Sequence, residues 1–134
     1  MIYAYQKHID SLRTIEMIFP TASDGMSRDG QELATINGTT YVFISDTAPL
    51  PSQPAEITVS PITLDATLTA AIKSASPHIR LIDSRVVDMI RQKYSLTDEI
   101  GILRTAPSEE ATAYNAYVEE CRAWGRGEKA KFGL

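Results

Sequence analysis

Three side chains in the sequence are of types that bind metals or attack substrates: His8, His78 and Cys121. Zinc sites use three or four nitrogen, sulfur or oxygen ligands, usually at short spacing. These three residues are tens of positions apart, so the sequence predicts no metal site. Cys121 could be a nucleophile with a histidine as its base. The alternative is a small buried hydrophobic residue, because Cys121 lies on the apolar stripe of a predicted helix.

Neighbouring acidic residues are the other candidates for chemistry, and they occur at Asp98-Glu99, Glu109-Glu110 and Glu119-Glu120. The two carboxyl groups of a glycosidase flank a bond and face each other at roughly 5 to 9 Å. Adjacent residues of a helix diverge and do not face a common site. The sequence also has no glycine-rich phosphate loop and no Gly-x-Ser-x-Gly elbow. It therefore predicts a protein that is not an enzyme and uses no cofactor.

Composition and charge argue against two classes of partner, nucleic acids and membranes. The chain has 134 residues, 43% of them apolar, and a formal charge of −4. Residues 1–62 carry three basic and seven acidic side chains, whereas residues 63–134 carry ten of each. Neither half is basic, so no nucleic-acid partner is predicted. The apolar runs are shorter than the roughly 18 to 20 residues of a membrane span, and the first ten residues do not resemble a signal peptide.

The first half of the chain has the pattern of strands and turns. Residues 2–6 favour a strand, and residues 20–30 have the composition of a loop. Residues 12–19 fit either a strand or a helix. Asn37-Gly38 predicts a type I′ turn, because both central residues of that turn need positive φ. A two-residue loop would pair Ile36 with Thr39, Ala34 with Tyr41 and Leu33 with Val42.

A proline-containing stretch separates the two halves. Pro49, Pro51, Pro54 and Pro61 lie within residues 47–62. Each proline fixes its φ and disfavours helix at the residue before it. The stretch is predicted to be an extended connector that crosses the surface, the alternative being a docking strip for an aromatic groove.

The second half has helical periodicity. One helix is predicted from residue 64 to residue 75, and Pro77 is predicted to open the next, over residues 78–94. Ser95 and Asp98 resemble a capping box at the start of a short helix whose apolar positions are Leu96, Ile100 and Leu103. The last helix is predicted to start at Pro107-Ser108-Glu109-Glu110 and to fray at Gly125 and Gly127.

These patterns together predict an α+β fold. Residues 1–46 are expected to form a small N-terminal antiparallel β unit with a hairpin. Residues 47–62 are expected to form the proline-rich connector, and residues 63–134 the C-terminal helical region.

The aromatic residues of the last helix are candidates for partner binding: Tyr114, Tyr117 and Trp124. Tyrosine and tryptophan are enriched where binding energy is concentrated at interfaces. Their helical spacing equally fits a packed core. Trp124 lies beside two predicted helix-breaking glycines, so it is the residue most readily assigned to an interface.

Residues 85–132 contain a specific pattern of residue types. Tyr94-Ser95, Asp98-Glu99 and Leu103-Arg104 are followed by a second cluster: Tyr114-Asn115, Tyr117, Glu119, Cys121-Arg122 and Trp124-Gly125. The pattern resembles the C-terminal helical segment of small tailed-bacteriophage proteins that are encoded among tail-fibre and tail-assembly genes of prophages. The strip from Ala48 to Glu56 is similar to a proline-containing strip in such proteins. No catalytic residue is implied.

The resemblance implies a role in virion assembly. Such a protein would bind a phage tail or tail-fibre protein in the host cytoplasm and assist its assembly or attachment. The alternative is a minor structural tail protein retained in the mature virion. A homo-oligomer is a further possibility. A dedicated coiled-coil chaperone is not indicated, because no heptad pattern runs for three or more repeats.

Overall fold

The computed structural model describes residues 1–134, and it confirms the α+β class. The strands are β1 (Ile2–Gln6), β2 (His8–Ile9), β3 (Thr14–Ile15), β4 (Gln31–Ile36), β5 (Thr39–Phe43) and β6 (Ser60–Ile62). The helices are α1 (Ala66–Ala75), α2 (Pro77–Lys93), α3 (Leu96–Arg104) and α4 (Glu109–Ala130). Four strands form an antiparallel sheet in the order β4-β5-β1-β6, and β2 pairs with β3.

The chain divides into two compact units. The sheet unit comprises Met1–His78 with Phe132–Leu134, and the helical unit comprises Ile79–Lys131. The boundary between the two units therefore does not coincide with residue 62, where the sequence pattern changes from strands and turns to helices. The reason is packing: Ile72 of α1 is fully buried in one cluster with Leu33 and Ala34 of β4. Helical periodicity identifies α1, but it does not show which unit buries the apolar face of that helix.

The hairpin forms as predicted around Asn37 and Gly38, whose φ angles are 51° and 81°. Its register agrees for Ile36 with Thr39 and for Ala34 with Tyr41. The predicted pairing of Leu33 with Val42 is wrong, because the register shifts between Glu32 and Ala34 and Val42 pairs with Glu32. Leu33 is the extra residue of a β-bulge, which lets two consecutive residues, Leu33 and Ala34, both be buried.

The proline-containing stretch is packed rather than a free connector. Its last residues form β6, in which Ile62 pairs with Ile2 of β1. Ile57 is buried in the cluster of Tyr5, Met17, Val42 and Ile44. The Gln53 side chain accepts a hydrogen bond from the Ile18 N–H at 2.8 Å and donates one to the Ile18 carbonyl at 2.9 Å. The Gln53 side-chain amide thus makes the two hydrogen bonds to Ile18 that a backbone residue of a neighbouring strand would make.

Helices α2 and α3 begin as the sequence indicates, whereas α1 begins at Ala66, two residues later than predicted. Asp65 caps α1, accepting a hydrogen bond from the Leu68 N–H at 2.7 Å, and Pro77 is the first residue of α2. The capping box of α3 is complete: the Asp98 N–H donates to Ser95 Oγ, and the Ser95 N–H donates to the Asp98 carboxylate, both at 3.0 Å.

The end of α4 differs from the prediction. Ser108 caps its start as expected, but the helix passes through Gly125 and Gly127 and continues to Ala130. Gly125 is buried, and a Cβ at this position would lie 2.7 Å from Cγ2 of Val86. The missing side chain therefore allows α4 to approach α2 closely, so Gly125 is a packing residue rather than a break.

Candidate partner-binding surface

The three aromatic residues proposed to bind a partner occupy different environments. Tyr114 is 7% exposed and packs in the main cluster of the helical unit with Ile102, Ala111 and Val118. Its ring also meets Tyr94 edge-on, with the centroids 5.1 Å apart. This burial favours the alternative interpretation of Tyr114 as a core residue.

Tyr114 also belongs to a polar contact that joins three helices. Arg91 of α2 donates to Glu99 of α3 at 2.7 Å. Hydrogen bonds from Arg91 and then from the Tyr114 hydroxyl hold the pKa of Glu99 below its usual range. Burial, followed by that contact with Glu99, raises the pKa of Tyr114. These hydrogen bonds join Arg91 of α2, Glu99 of α3 and Tyr114 of α4, so they orient the three helices.

Tyr117 is half-buried, and its hydroxyl is used within the unit. The hydroxyl donates to the Met89 carbonyl at 2.9 Å, and burial raises its pKa. Lys93 Nζ lies 4.4 Å from the centre of its ring. Tyr117 thus anchors α4 on α2, and only part of its ring can meet a partner.

Trp124 is only partly buried, in the last third of α4, between the buried residues Cys121 and Gly125. No aromatic ring or cation stacks on it. Of the three aromatic candidates, it keeps the most freedom to contact another protein.

The structure exposes an apolar surface, the α3 stripe, formed by the three apolar positions that the sequence assigns to the short helix, Leu96, Ile100 and Leu103. These side chains are 59%, 47% and 53% exposed. They are spaced at i, i+4 and i+7, so they share one helix face. The periodicity identified these positions, but it could not show that α3 packs through Ile102, which is 4% exposed.

An open groove lies at the start of α4. It has a volume of about 580 Å³, and Pro107, Thr112, Ala113 and Ala116 contribute much of its lining. Glu109 also lines it, so the groove combines small or apolar side chains that a partner could cover with one carboxylate.

The residues first considered for chemistry do not form a reactive group. The His8 ring contacts Asp10 at 3.2 Å, and the His78 ring meets Phe132 edge-on at 5.0 Å. Cys121 is fully buried in α4. No three histidine, cysteine or acidic side chains are placed to hold a metal ion.

Most of the neighbouring acidic residues lie at helix starts or in an ion pair within a helix. Asp98 completes a capping box, and Glu109 and Glu110 occupy the first turn of α4, where the helix dipole favours negative charge. Glu119 forms an ion pair with Arg126. Asp98, Glu109, Glu110 and Glu119 thus have local structural roles in α3 and α4.

Comparisons with models of protein families, with curated proteins and with solved structures find no match to this chain. None of the four helices combines the length and the apolar character needed to cross a bilayer.

Proposed function

We propose that the protein is a non-enzymatic, tail-associated bacteriophage protein that binds a tail fibre or another tail component and assists its assembly or attachment. The binding would take place in the host cytoplasm during assembly. The protein would make and break no covalent bond, and it would need no cofactor.

The observation that carries the binding role is the α3 stripe. Three large apolar side chains of one short helix are about half exposed while the opposite side of that helix is packed. Single exposed apolar residues are ordinary, whereas grouped ones indicate an interaction site. Covering such a stripe removes apolar area from water and favours association by about 25 cal/mol per Å² before the cost of docking is subtracted.

The assignment to a phage tail is supported by the resemblance in residues 85–132. The segment that is similar to the tail-associated proteins therefore also contains the α3 stripe and the partly buried Trp124. The side chains of Asp98 and Glu99 within the pattern are used for a cap and an ion pair, as a structural role for the motif requires.

The second candidate function is that of a minor structural tail protein retained in the mature virion. The same stripe would then be covered permanently. Persistence in the finished particle separates this function from that of an assembly factor.

The proposal is tested by light scattering on the protein alone and after co-expression with the neighbouring tail genes. We expect a complex that contains a tail or fibre protein. Ile100→Asp should prevent it, because a charge would be buried without a partner. Met26→Asp is the matched control, since Met26 is 93% exposed in the sheet unit.

Three outcomes of this experiment are distinct. A complex that is absent from purified particles indicates an assembly factor, and one that persists indicates a structural component. A monomer that joins no tail protein contradicts the proposed function.

A further inference from the structure

The segment between β5 and β6 lies on the sheet unit without pairing to it through its backbone. We call residues 47–59 the strap. Its two backbone hydrogen bonds are local: the Ala48 N–H donates to the Ser45 carbonyl at 3.2 Å, and the Ile57 N–H donates to the Pro54 carbonyl at 3.3 Å. Prolines within the strap have no N–H to donate. The strap is therefore attached to the rest of the unit by its side chains.

Apolar side chains provide one part of this attachment. Ile57, which is 7% exposed, is the one buried residue of the strap. Three partly buried residues pack against the same cluster: Ala48, Leu50 and Val59. The rest of the unit contributes the other buried members of that cluster, Tyr5, Met17, Val42 and Ile44. Opening the strap would therefore uncover this cluster without breaking a strand pair.

The Gln53 side chain provides the main polar attachment. It accepts a hydrogen bond from the Ile18 N–H and donates one to the Ile18 carbonyl. A further bond, to the Pro51 carbonyl at 2.9 Å, orients the amide within the strap. Glu56 also pairs with Arg13 at 3.2 Å, but an exposed ion pair of this kind contributes little. Gln53 thus acts as the latch of the strap.

Both ends of the strap are held independently of the latch. Before it, the Ser45 N–H donates to the Asp29 carboxylate at 3.2 Å. After it, Ser60 of β6 pairs with Ala4 of β1. The prolines also restrict the conformations of an open strap, so closing it costs less entropy than closing a flexible loop of the same length. The geometry therefore suits repeated opening and closing of the middle of the segment.

We propose that the strap is a cover that opens as a unit while the four-stranded sheet stays folded. Segments with few buried apolar contacts and few backbone hydrogen bonds open at a lower free energy than the whole domain. Opening uncovers the apolar cluster together with the N–H and C=O of Ile18. The closed strap thus controls access to a slot with an apolar floor and one backbone donor–acceptor pair. This inference is independent of the proposed tail function and of the α3 stripe.

The test follows the oxidation of individual methionines by dilute hydrogen peroxide, with mass spectrometry as the readout. Met17 is 5% exposed and belongs to the covered cluster, so peroxide reaches it when the strap opens. Met26 is 93% exposed and gives the rate for an accessible methionine in the same molecule. We expect Met17 to react at least about tenfold more slowly than Met26, and dilute urea should change its rate little, because local opening exposes little surface.

Removing the latch should speed this reaction selectively. Gln53→Ala should raise the rate of Met17 oxidation about tenfold, because closing the strap no longer forms the two hydrogen bonds to Ile18. Ser52→Ala is the matched control at the exposed neighbouring position, and it should leave the rate unchanged. Circular dichroism checks that the sheet remains folded in both variants.

If Gln53→Ala unfolds the sheet, Glu56→Gln takes its place. This variant removes only the ion pair with Arg13, so the rate of Met17 oxidation should rise about twofold.

Three results would overturn the inference. The first is oxidation of Met17 that rises with urea in step with global unfolding, which would make the strap part of the cooperative core. The second is an equal rate in the latch variant and in the Ser52→Ala control. The third is oxidation of Met17 as fast as that of Met26, which would mean that the strap covers nothing.

Discussion

The sheet unit and the helical unit bury their apolar residues to different extents. The sheet unit has two buried clusters, and residues from the hairpin, the proline-containing stretch, α1 and the C-terminal residues all contribute to them. The helical unit has one cluster of four buried residues and relies in addition on ion pairs between helices. One of these joins Arg91 with Glu99 at 2.7 Å, and another joins Lys129 with Asp83 at 2.6 Å.

The two units also differ in net charge and in where their exposed apolar residues lie. The sheet unit has four basic and eight acidic residues, and the helical unit has nine of each. The most exposed apolar residues of the sheet unit, Leu12 and Met26, lie outside its helices and strands, whereas those of α3 form a stripe. Incomplete packing of an ordered helix therefore groups apolar side chains on one face, which exposed residues in separate loops do not.

Burial of Cys121 in the helical unit should greatly slow its labelling by a thiol reagent. Since Cys121 is fully buried, a thiol reagent can reach it only after α4 opens. We expect native labelling to be at least about a thousandfold slower than labelling in urea, which corresponds to an opening free energy of about 4 kcal/mol. Labelling is followed by mass spectrometry. Fast native labelling would show that the α4 face is open and that the helical unit has little core.

Truncating one isoleucine in each unit measures the difference in packing directly. Ile72 is fully buried, so Ile72→Ala should lower the free energy of unfolding by about 3 kcal/mol. Ile100→Ala is the matched change in the α3 stripe and should alter it by less than about 0.5 kcal/mol. Urea denaturation provides both values. A loss of more than about 2 kcal/mol in Ile100→Ala would mean that the stripe is part of a core.

Gly125 tests the close approach of α4 to α2 within the helical unit. Gly125→Val should destabilise the protein by about 2 kcal/mol, because the added atoms would meet Val86. Gly127→Val is the control, since a Cβ at Gly127 meets nothing within 4 Å. It should be neutral or slightly stabilising, as valine is a better helix former than glycine. Equal midpoints in urea for the two variants would refute the close contact.

In the sheet unit, a glycine substitution in the hairpin turn tests the backbone conformation. Gly38 has a φ of 81°, which a β-branched residue adopts only with strain. Gly38→Val should lower the free energy of unfolding by about 1 to 2 kcal/mol. Gly38→Asn should be milder, because asparagine tolerates that region. An unchanged denaturant midpoint for Gly38→Val would contradict the type I′ turn.

Asp24, in the loop of residues 20–30, should make a small contribution to the loss of stability at low pH. Hydrogen bonds from Ser27 and from the N–H groups of Met26 and Ser27 lower the pKa of Asp24 to about 2. A lowered folded-state pKa adds stability above the unfolded value, and this contribution is lost as pH falls from about 4 through 2. Asp24→Asn should therefore flatten the decline of stability in that range. An unchanged slope in acid titrations would contradict this role.

Local signals made much of the fold predictable. Asn37-Gly38, Ser95 with Asp98, and Pro77 each specify a turn or helix start through their own backbone chemistry. The bulge at Leu33, the packing of Ile57 and the close contact at Gly125 depend on residues distant in sequence, so no local pattern reveals them.

The candidate site was predictable only in part. Helical spacing placed Tyr114, Tyr117 and Trp124 on one face of α4, but it could not distinguish the buried Tyr114 from the accessible Trp124. For α3, the spacing gave the stripe, whereas its exposure depends on the tertiary contact of Ile102.

The most direct test of the binding role is amide hydrogen exchange of the chain alone and in the complex obtained by co-expression with the tail genes. We expect added protection in Leu96–Arg104, where three apolar side chains are exposed, and around the partly buried Trp124. A complex that forms without any added protection in α3 would contradict it.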